Sequence, residues 1–206
     1  MRRLPDRAHY DLDTINEIID SALVGHLGWV LDGQPYVTPT AVWRQGDRLY
    51  WHGSRASRML RAVDGADVCM TITHVDGLVL ARSGFNHSIN YRSVMVLGTA
   101  HLVTDPAEVD TALEAFIEHL YPGRWAQLRP MTERERKQTS VLWMDIREVS
   151  GKVRDDVGHD DPGDETWPVW AGVIPVWTAR GDARPDIRLV DGVPQPEVGR
   201  PGGTPA

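Results

Sequence analysis

The chain has 206 residues, 41% of them apolar, which suffices for one substantial domain and is too short for two large ones. A formal net charge of −7 argues against a general nucleic-acid binder, while leaving room for a local basic pocket that takes a phosphate. No run of about 18 apolar residues is available to span a bilayer, and Met1-Arg2-Arg3-Leu4-Pro5-Asp6 runs into charge instead of an apolar signal region, so a cytoplasmic protein with no membrane partner is expected.

In chain order, Thr14 with Glu17 has the pattern of a capping box, and Ile15, Ile18, Ile19, Ala22 and Leu23 recur at helical spacing, which predicts an amphipathic helix within an N-terminal segment, residues 1–24. From Gly25 the period changes to two. Leu27, Trp29 and Leu31 alternate before the hairpin signal Asp32-Gly33, and Tyr36 to Trp43 returns as a second strand. Gln45-Gly46-Asp47 turns the chain into a third strand, Arg48 to His52, followed by a helix over about Ser57 to Val63. Val68 to Thr73 and Leu78 to Ala81, around Asp76-Gly77, predict another hairpin, and Tyr91 to Val103 a long strand. Cys69, the single cysteine, cannot form an internal disulfide; in its apolar alternating stretch it reads as a buried, inert thiol, so redox chemistry would need a cofactor.

Asp105-Pro106-Ala107-Glu108 combines an N-cap, a proline at the first helical position and a box glutamate, and Val109, Ala112, Leu113, Phe116, Ile117 and Leu120 line one face of the helix that follows. Thr132 and Glu135 repeat the box before a short charged helix, and Leu142, Met144 and Ile146 alternate in a last barrel strand. Two-residue hairpins enforce antiparallel pairing. The class is therefore mainly β with helices, a six-stranded antiparallel barrel over residues 25–155. Past it, residues 156–180 form a tryptophan-rich arm with Trp167, Trp170 and Trp177, suited to a partner subunit, a cofactor plane or local core packing. Residues 181–206 are rich in Pro, Gly and Asp and read as a disordered tail.

Two stretches carry candidate chemistry. In Tyr50-Trp51-His52-Gly53-Ser54-Arg55-Ala56-Ser57-Arg58 a strand leads through a small polar turn into a helix. Unpaired backbone N–H groups, the Ser54 and Ser57 hydroxyls and Arg55 or Arg58 could hold a phosphate there; an ordinary capped helix with two solvated arginines has the same pattern. In the stretch from Phe85 to Gly98 a polar loop containing His87 enters an apolar strand, and His87 is a candidate to hydrogen-bond a substrate or supply a proton, or simply a surface histidine. The eight histidines are scattered and form no His-x-x-x-His pair, so no metal site is expected.

Taken together, Trp51-His52-Gly53 with Ser57-Arg58, and Tyr91-Arg92-Ser93-Val94 running into a strand that ends at Gly98, resemble the pyridoxamine 5′-phosphate oxidase-like FMN-binding split barrels, and within them the branch of flavin-nucleotide-binding proteins and nitroimidazole reductases. The resemblance covers about residues 10–178. It implies a homodimer holding FMN between protomers. Ser57 and Arg58 would bind the FMN phosphate, Trp51 and His52 would flank the ribityl chain, and Thr40, Ala41, Val42 and Trp43 would line the isoalloxazine through backbone contacts. Ser93 would reach the flavin from the other subunit, and Lys152 and Arg154, after the last barrel strand, would add positive charge.

The basic C-terminal signature with which true pyridoxamine phosphate oxidases grip their substrate is not visible here, which speaks against vitamin B6 oxidation. The function expected is an FMN-dependent oxidoreductase acting on a small organic molecule, with electrons from NAD(P)H or another reductant. A non-catalytic flavin carrier or sensor would use the same pocket. The fold also accommodates the deazaflavin F420 or haem, the latter with His87 or His52 as axial ligand.

Overall fold

The computed structural model describes residues 7–196. Its strands form two antiparallel sheets. The larger contains β1 (Ala8–His9), β2 (Val24–Leu31), β3 (Gln34–Ala41), β6 (Asp67–Leu80), β7 (Ser88–Thr99) and β10 (Glu148–Arg154), in the order β1-β10-β7-β6-β2-β3, with β11 (Gly172–Pro175) paired to β6. The smaller contains β4 (Trp43–Gln45), β5 (Arg48–Ser54), β8 (His101–Leu102) and β9 (Thr139–Asp145), in the order β4-β5-β9-β8. The helices are α1 (Leu12–Asp20), α2 (Arg58–Val63), α3 (Pro106–Leu120) and α4 (Glu133–Gln138).

Three runs of chain switch sheets. β3 passes to β4 across Val42, β7 to β8 across Ala100, and β9 to β10 across Ile146-Arg147. Val42 and Ala100 are fully buried at their crossings. Counting each such pair as one strand gives six long runs, as expected, but they form a split barrel of two sheets instead of a closed cylinder. Leu27, Met70, Ile72, Val96, Leu49, Trp51, Leu142 and Met144, drawn from both sheets, fill the space between them, with Ile15, Ile18 and Ile19 of α1 packed against the same core. Each such side chain contributes on the order of 1.5–3 kcal/mol by burial. The opposite face of the smaller sheet carries Trp43, Tyr50 and Val141 and is covered by Ala112 and Leu113 of α3.

Several predicted boundaries move. The α1 cap is Asp11, whose side chain accepts from the Thr14 N–H at 2.9 Å, so the helix starts earlier than a box at Thr14 would place it. The hairpin predicted at Asp76-Gly77 is a bulge inside one continuous strand, β6. Val75 pairs Tyr91 and Gly77 pairs Asn90, which leaves Asp76 as the extra residue. The partner β7 is long enough to pair both halves, and the Asp76 carboxylate accepts two hydrogen bonds from Arg92, each at 3.0 Å. Lys152 and Arg154 lie within the last barrel strand, β10, and not after it. By contrast, Asp32-Gly33 turns the β2–β3 hairpin with φ of 52° and 79°, the left-handed pair such a turn demands.

Of the C-terminal arm, only Gly172–Pro175 joins a sheet; Trp167, Trp170 and Trp177 are exposed in the chain. Residues 181–196 contain turns but no helix or strand, and the rest of the predicted tail lies outside the described residues. No helix among the described residues is long and apolar enough to cross a membrane.

Candidate functional site

The turn between β5 and α2 is fixed by short-range bonds. The Ser54 carbonyl accepts from Ser57 N–H at 2.8 Å, the Ser54 hydroxyl accepts from Ala56 N–H at 3.2 Å, and Arg55 N–H donates to the Gln138 carbonyl at 2.8 Å. Ser57 caps α2, accepting from Leu60 N–H at 3.5 Å. Met59, Leu60 and Val63 anchor that helix in the core, which turns its first residues outward.

Arg58 projects from this turn with its guanidinium 4.9 Å above the ring of Tyr36. Tyr36 stacks on Trp29 at 4.6 Å, and the Trp29 indole N–H donates to the Thr38 hydroxyl at 3.0 Å. An aromatic platform on the β2–β3 hairpin therefore holds the arginine. The sequence reading missed Tyr36; its place at a cross-strand pair with Trp29 was the available signal. Most of the described arginines, including Arg44, Arg48, Arg82, Arg92, Arg129, Arg136 and Arg154, lie against carboxylates. Among the described residues, Arg55 and Arg58 have no hydrogen-bonding or ion-pair partner for their side chains.

The residues around the turn divide by strand alternation. Trp51 is fully buried between the sheets, while His52 points to the α3 side, with ring centroids 5.7 Å from Trp43 and 4.6 Å from Phe116. Burial holds the His52 imidazole below its usual pKa, and its Nδ1 is buried without a partner among the described residues. Val42 and Trp43 are likewise buried on opposite sides, so only backbone atoms at these positions can face a ligand; Thr40 and Ala41, at the end of β3, are partly exposed.

Ser93 and Lys152 sit side by side on the larger sheet, across the β7–β10 register, with Ser93 Oγ donating to the Lys152 carbonyl at 3.5 Å and Lys152 Nζ 5.4 Å from the Tyr91 ring. They share no sheet with Ser57 and Arg58. Arg154 is buried and engaged within its own chain. It donates to the Ile89 carbonyl at 3.0 Å and Asn90 Oδ1 at 3.1 Å and lies 3.4 Å from the Asp156 carboxylate, which removes its charge from any open surface.

His87 is exposed in the loop between β6 and β7, with Nδ1 2.8 Å from the Ser83 carbonyl. The same loop is tied to the segment after β10 by Arg82, whose backbone N–H donates to Asp160 at 2.7 Å and whose guanidinium pairs with it. Cys69, on the outer face of β6, is only partly buried, and that burial raises its thiol pKa.

The strand-turn-helix beside a two-sheet barrel agrees with a family comparison in which residues 11–153 match pyridoxamine 5′-phosphate oxidase. The chain belongs to the pyridoxamine 5′-phosphate oxidase-like family of split barrels. Within the fold, the flavocytochrome Anf3 from Azotobacter vinelandii is 43% identical, with a TM-score of 0.90 over 96% of this chain and 92% of that one. The FAD and heme binding protein from Mycobacterium smegmatis is 32% identical, with a TM-score of 0.89 over 93% and 94% of the two chains. A candidate 5-nitroimidazole antibiotic resistance protein from Bacteroides thetaiotaomicron shares the fold at 23% identity and a TM-score of 0.59, over 71% and 86%. No curated protein matches the chain. The Azotobacter and Mycobacterium proteins align over the C-terminal arm as well as the barrel, since each match covers more than nine-tenths of this chain.

Proposed function

We propose that this chain is a flavin-dependent oxidoreductase of the flavocytochrome kind, a homodimer that takes electrons from a nicotinamide nucleotide and delivers them to a small acceptor molecule. The observation that carries this reading is the unpaired Arg58, held over Tyr36 beside the Ser57 cap. In a chain of net charge −7, an arginine left without a carboxylate beside hydroxyl-bearing Ser54 and Ser57 is a site for an anion. The anion proposed is the phosphate of an FMN moiety. The backbone of Thr40 to Trp43 then lines the ring system, and Trp51 fixes its strand from within the core.

Ser93 and Lys152 come to the same flavin from a second copy. The outer face of the larger sheet supports that assembly. The register aligns Val30, Val37, Val75, Met95 and Leu97 on this face, all of them exposed, whereas the other face is the barrel core. An apolar surface of this extent on a sheet marks an association site, and a two-fold axis across it generates two equivalent flavin sites.

A second prosthetic group, haem, is supported by the Azotobacter flavocytochrome and the Mycobacterium FAD and heme binding protein and by the geometry of His87. A ligating histidine characteristically gives its other ring nitrogen to a carbonyl, and Nδ1 of His87 meets the Ser83 carbonyl at 2.8 Å, which leaves Nε2 outward. His52 does not fit this role because Trp43 and Phe116 enclose its ring. When bound, the flavin supplies two-electron exchange with a nicotinamide and the haem one-electron exchange with an acceptor.

The absorption spectrum and native mass spectrum of the purified protein test the proposal. The expected result is a dimer mass with bound flavin, a flavin envelope and a Soret band that His87→Ala abolishes. A folded chain that takes up neither FMN nor FAD on titration refutes the flavin reading. A flavin spectrum without a Soret band after haem addition removes the haem and leaves His87 as a proton or hydrogen-bond partner of the substrate. Rapid mixing of the reduced protein with acceptors separates an enzyme from a flavin carrier, which would be reoxidised only slowly by oxygen.

A further inference from the structure

The loop that carries His87, residues 81–87 between β6 and β7, is held weakly by its own bonds. Phe85 is exposed at its tip, and within it the Asn86 N–H reaches the Ser83 carbonyl at 3.3 Å. The Ser83 hydroxyl and the Asn86 side-chain nitrogen are buried without a partner among the described residues, although such groups are nearly always hydrogen-bonded in a folded chain. A loop bonded so sparsely opens at little cost, and the Ser83 carbonyl that orients the His87 ring at 2.8 Å would move with it.

What fixes the loop comes from elsewhere in the chain. Residues 155–160, which follow β10, are clasped to the loop and to the start of β7 at two points. Asn90 is buried and exchanges bonds with Asp156, its side-chain nitrogen donating to the Asp156 carbonyl at 2.9 Å and its Oδ1 accepting from the Asp156 N–H at 3.1 Å. At the other end Asp160, its side chain 11% exposed, accepts from the Arg82 N–H at 2.7 Å and pairs with the Arg82 guanidinium. Between the two clasps the chain passes so close to β6 that a Cβ at Gly158, where φ is 88°, would lie 2.9 Å from Val79 Cγ1. Arg82 directly precedes Ser83, so the second clasp grips the backbone next to the carbonyl that holds the imidazole. A charge-assisted pair sheltered from water outweighs the loop's neutral bonds.

We infer that Asp160 is the positioning residue for His87: acting through Arg82, it holds the Ser83 carbonyl in place and keeps the imidazole Nε2 directed outward at its ligand. The inference rests on the reading of His87 as a haem ligand and deepens it by naming the residue that prepares the ligand.

The test compares wild type, His87→Ala, Asp160→Ala and Asp160→Asn, each full length, purified without haem and titrated with haemin. Far-ultraviolet circular dichroism and amide protection of the barrel strands report that each is folded. Asp160→Ala should bind haem about 10- to 100-fold more weakly than wild type, the usual cost of losing a partner behind a metal ligand. Asp160→Asn still offers an acceptor to the Arg82 N–H and should lose less. Added imidazole should restore the Soret band in Asp160→Ala as in His87→Ala, a rescue that general damage to the fold would not allow, and flavin affinity should be unchanged. In the haem-free protein, amide exchange across residues 82–88 should quicken at least about tenfold in Asp160→Ala, the effect of one lost charge-assisted bond. Unchanged haem affinity in Asp160→Ala overturns the inference and leaves His87 as a ligand, and so does a loss of haem that imidazole does not recover. If wild type takes up no haem, the haem reading falls and exchange decides: quickened exchange keeps Asp160 as the residue that positions His87 toward a substrate, and unchanged exchange overturns the inference.

Discussion

Replacing Arg58 with alanine removes the unpaired guanidinium held over Tyr36 at the first residue of α2. Two effects follow, and they differ in size. In the folded protein Arg58 gives up a cation–π contact with Tyr36 at an exposed site, worth about 0.5–1 kcal/mol, so the melting temperature should fall by no more than about 2–4 °C for a chain of this length. In the complex it gives up a charge-assisted hydrogen bond to phosphate, worth about 1.5–3 kcal/mol, or about 10- to 150-fold in FMN affinity. Riboflavin lacks the phosphate and should bind wild type and Arg58→Ala alike. Quenching of flavin fluorescence in parallel titrations with FMN and riboflavin gives all four constants. Equal FMN affinity in both proteins removes Arg58 from the site, and an equal loss of riboflavin shows damage to the ring pocket instead of a missing phosphate contact. Tyr36→Leu, which keeps the charge but removes the platform, should give a smaller loss confined to FMN.

The apolar outer face predicts that Leu97→Asp, a charge placed beside exposed Met95 and Val75 and half-buried Cys69, converts the proposed dimer to a monomer by native mass spectrometry and weakens flavin binding in parallel; a monomeric wild type would refute the shared site. At Gly77 an added Cβ would lie 2.8 Å from Val173 Cγ1 and 3.4 Å from the Ile174 carbonyl, so Gly77→Ala should loosen β11 and raise amide exchange across residues 172–175 while the barrel strands stay protected. His52 is held below its usual pKa by burial, so the unfolded chain binds the proton first as pH falls below about 6.5. Its contribution to stability is fully present above that pH and declines on the acid side. The melting temperature of wild type should therefore drop more between pH 7.5 and 5.5 than that of His52→Leu, and parallel profiles would count against the burial argument.

Local features of the fold were legible where the signal depends on neighbours in sequence. Asp105 caps α3 with Pro106 at its first position, Thr132 and Glu135 form a true capping box, and Asp32-Gly33 turns its hairpin. The Asp76-Gly77 pair carried the same hairpin signal and gave a bulge, because a turn competes with the pairing that a long neighbouring strand offers, and only the register with β7 decides between them. The switch of three runs between sheets left no local mark, since buried residues such as Val42 and Ala100 look like ordinary strand positions.

The same division applies to the candidate site. The order of residue types from Trp51 to Arg58 and from Tyr91 to Gly98 was sufficient to mark the family, and it led to the proposal of an anion at the turn, because a phosphate site needs small residues, hydroxyls and a cation within a few positions of one helix start. Which cations remain available is a property of the folded chain. Arg154 and Arg58 are the same side chain to a sequence, yet one is enclosed by Ile89, Asn90 and Asp156 and the other stands free on Tyr36. Charge is written residue by residue, whereas its compensation depends on groups brought together from distant positions, and that is why tertiary structure alone separated the enclosed, compensated arginine from the one left without a carboxylate.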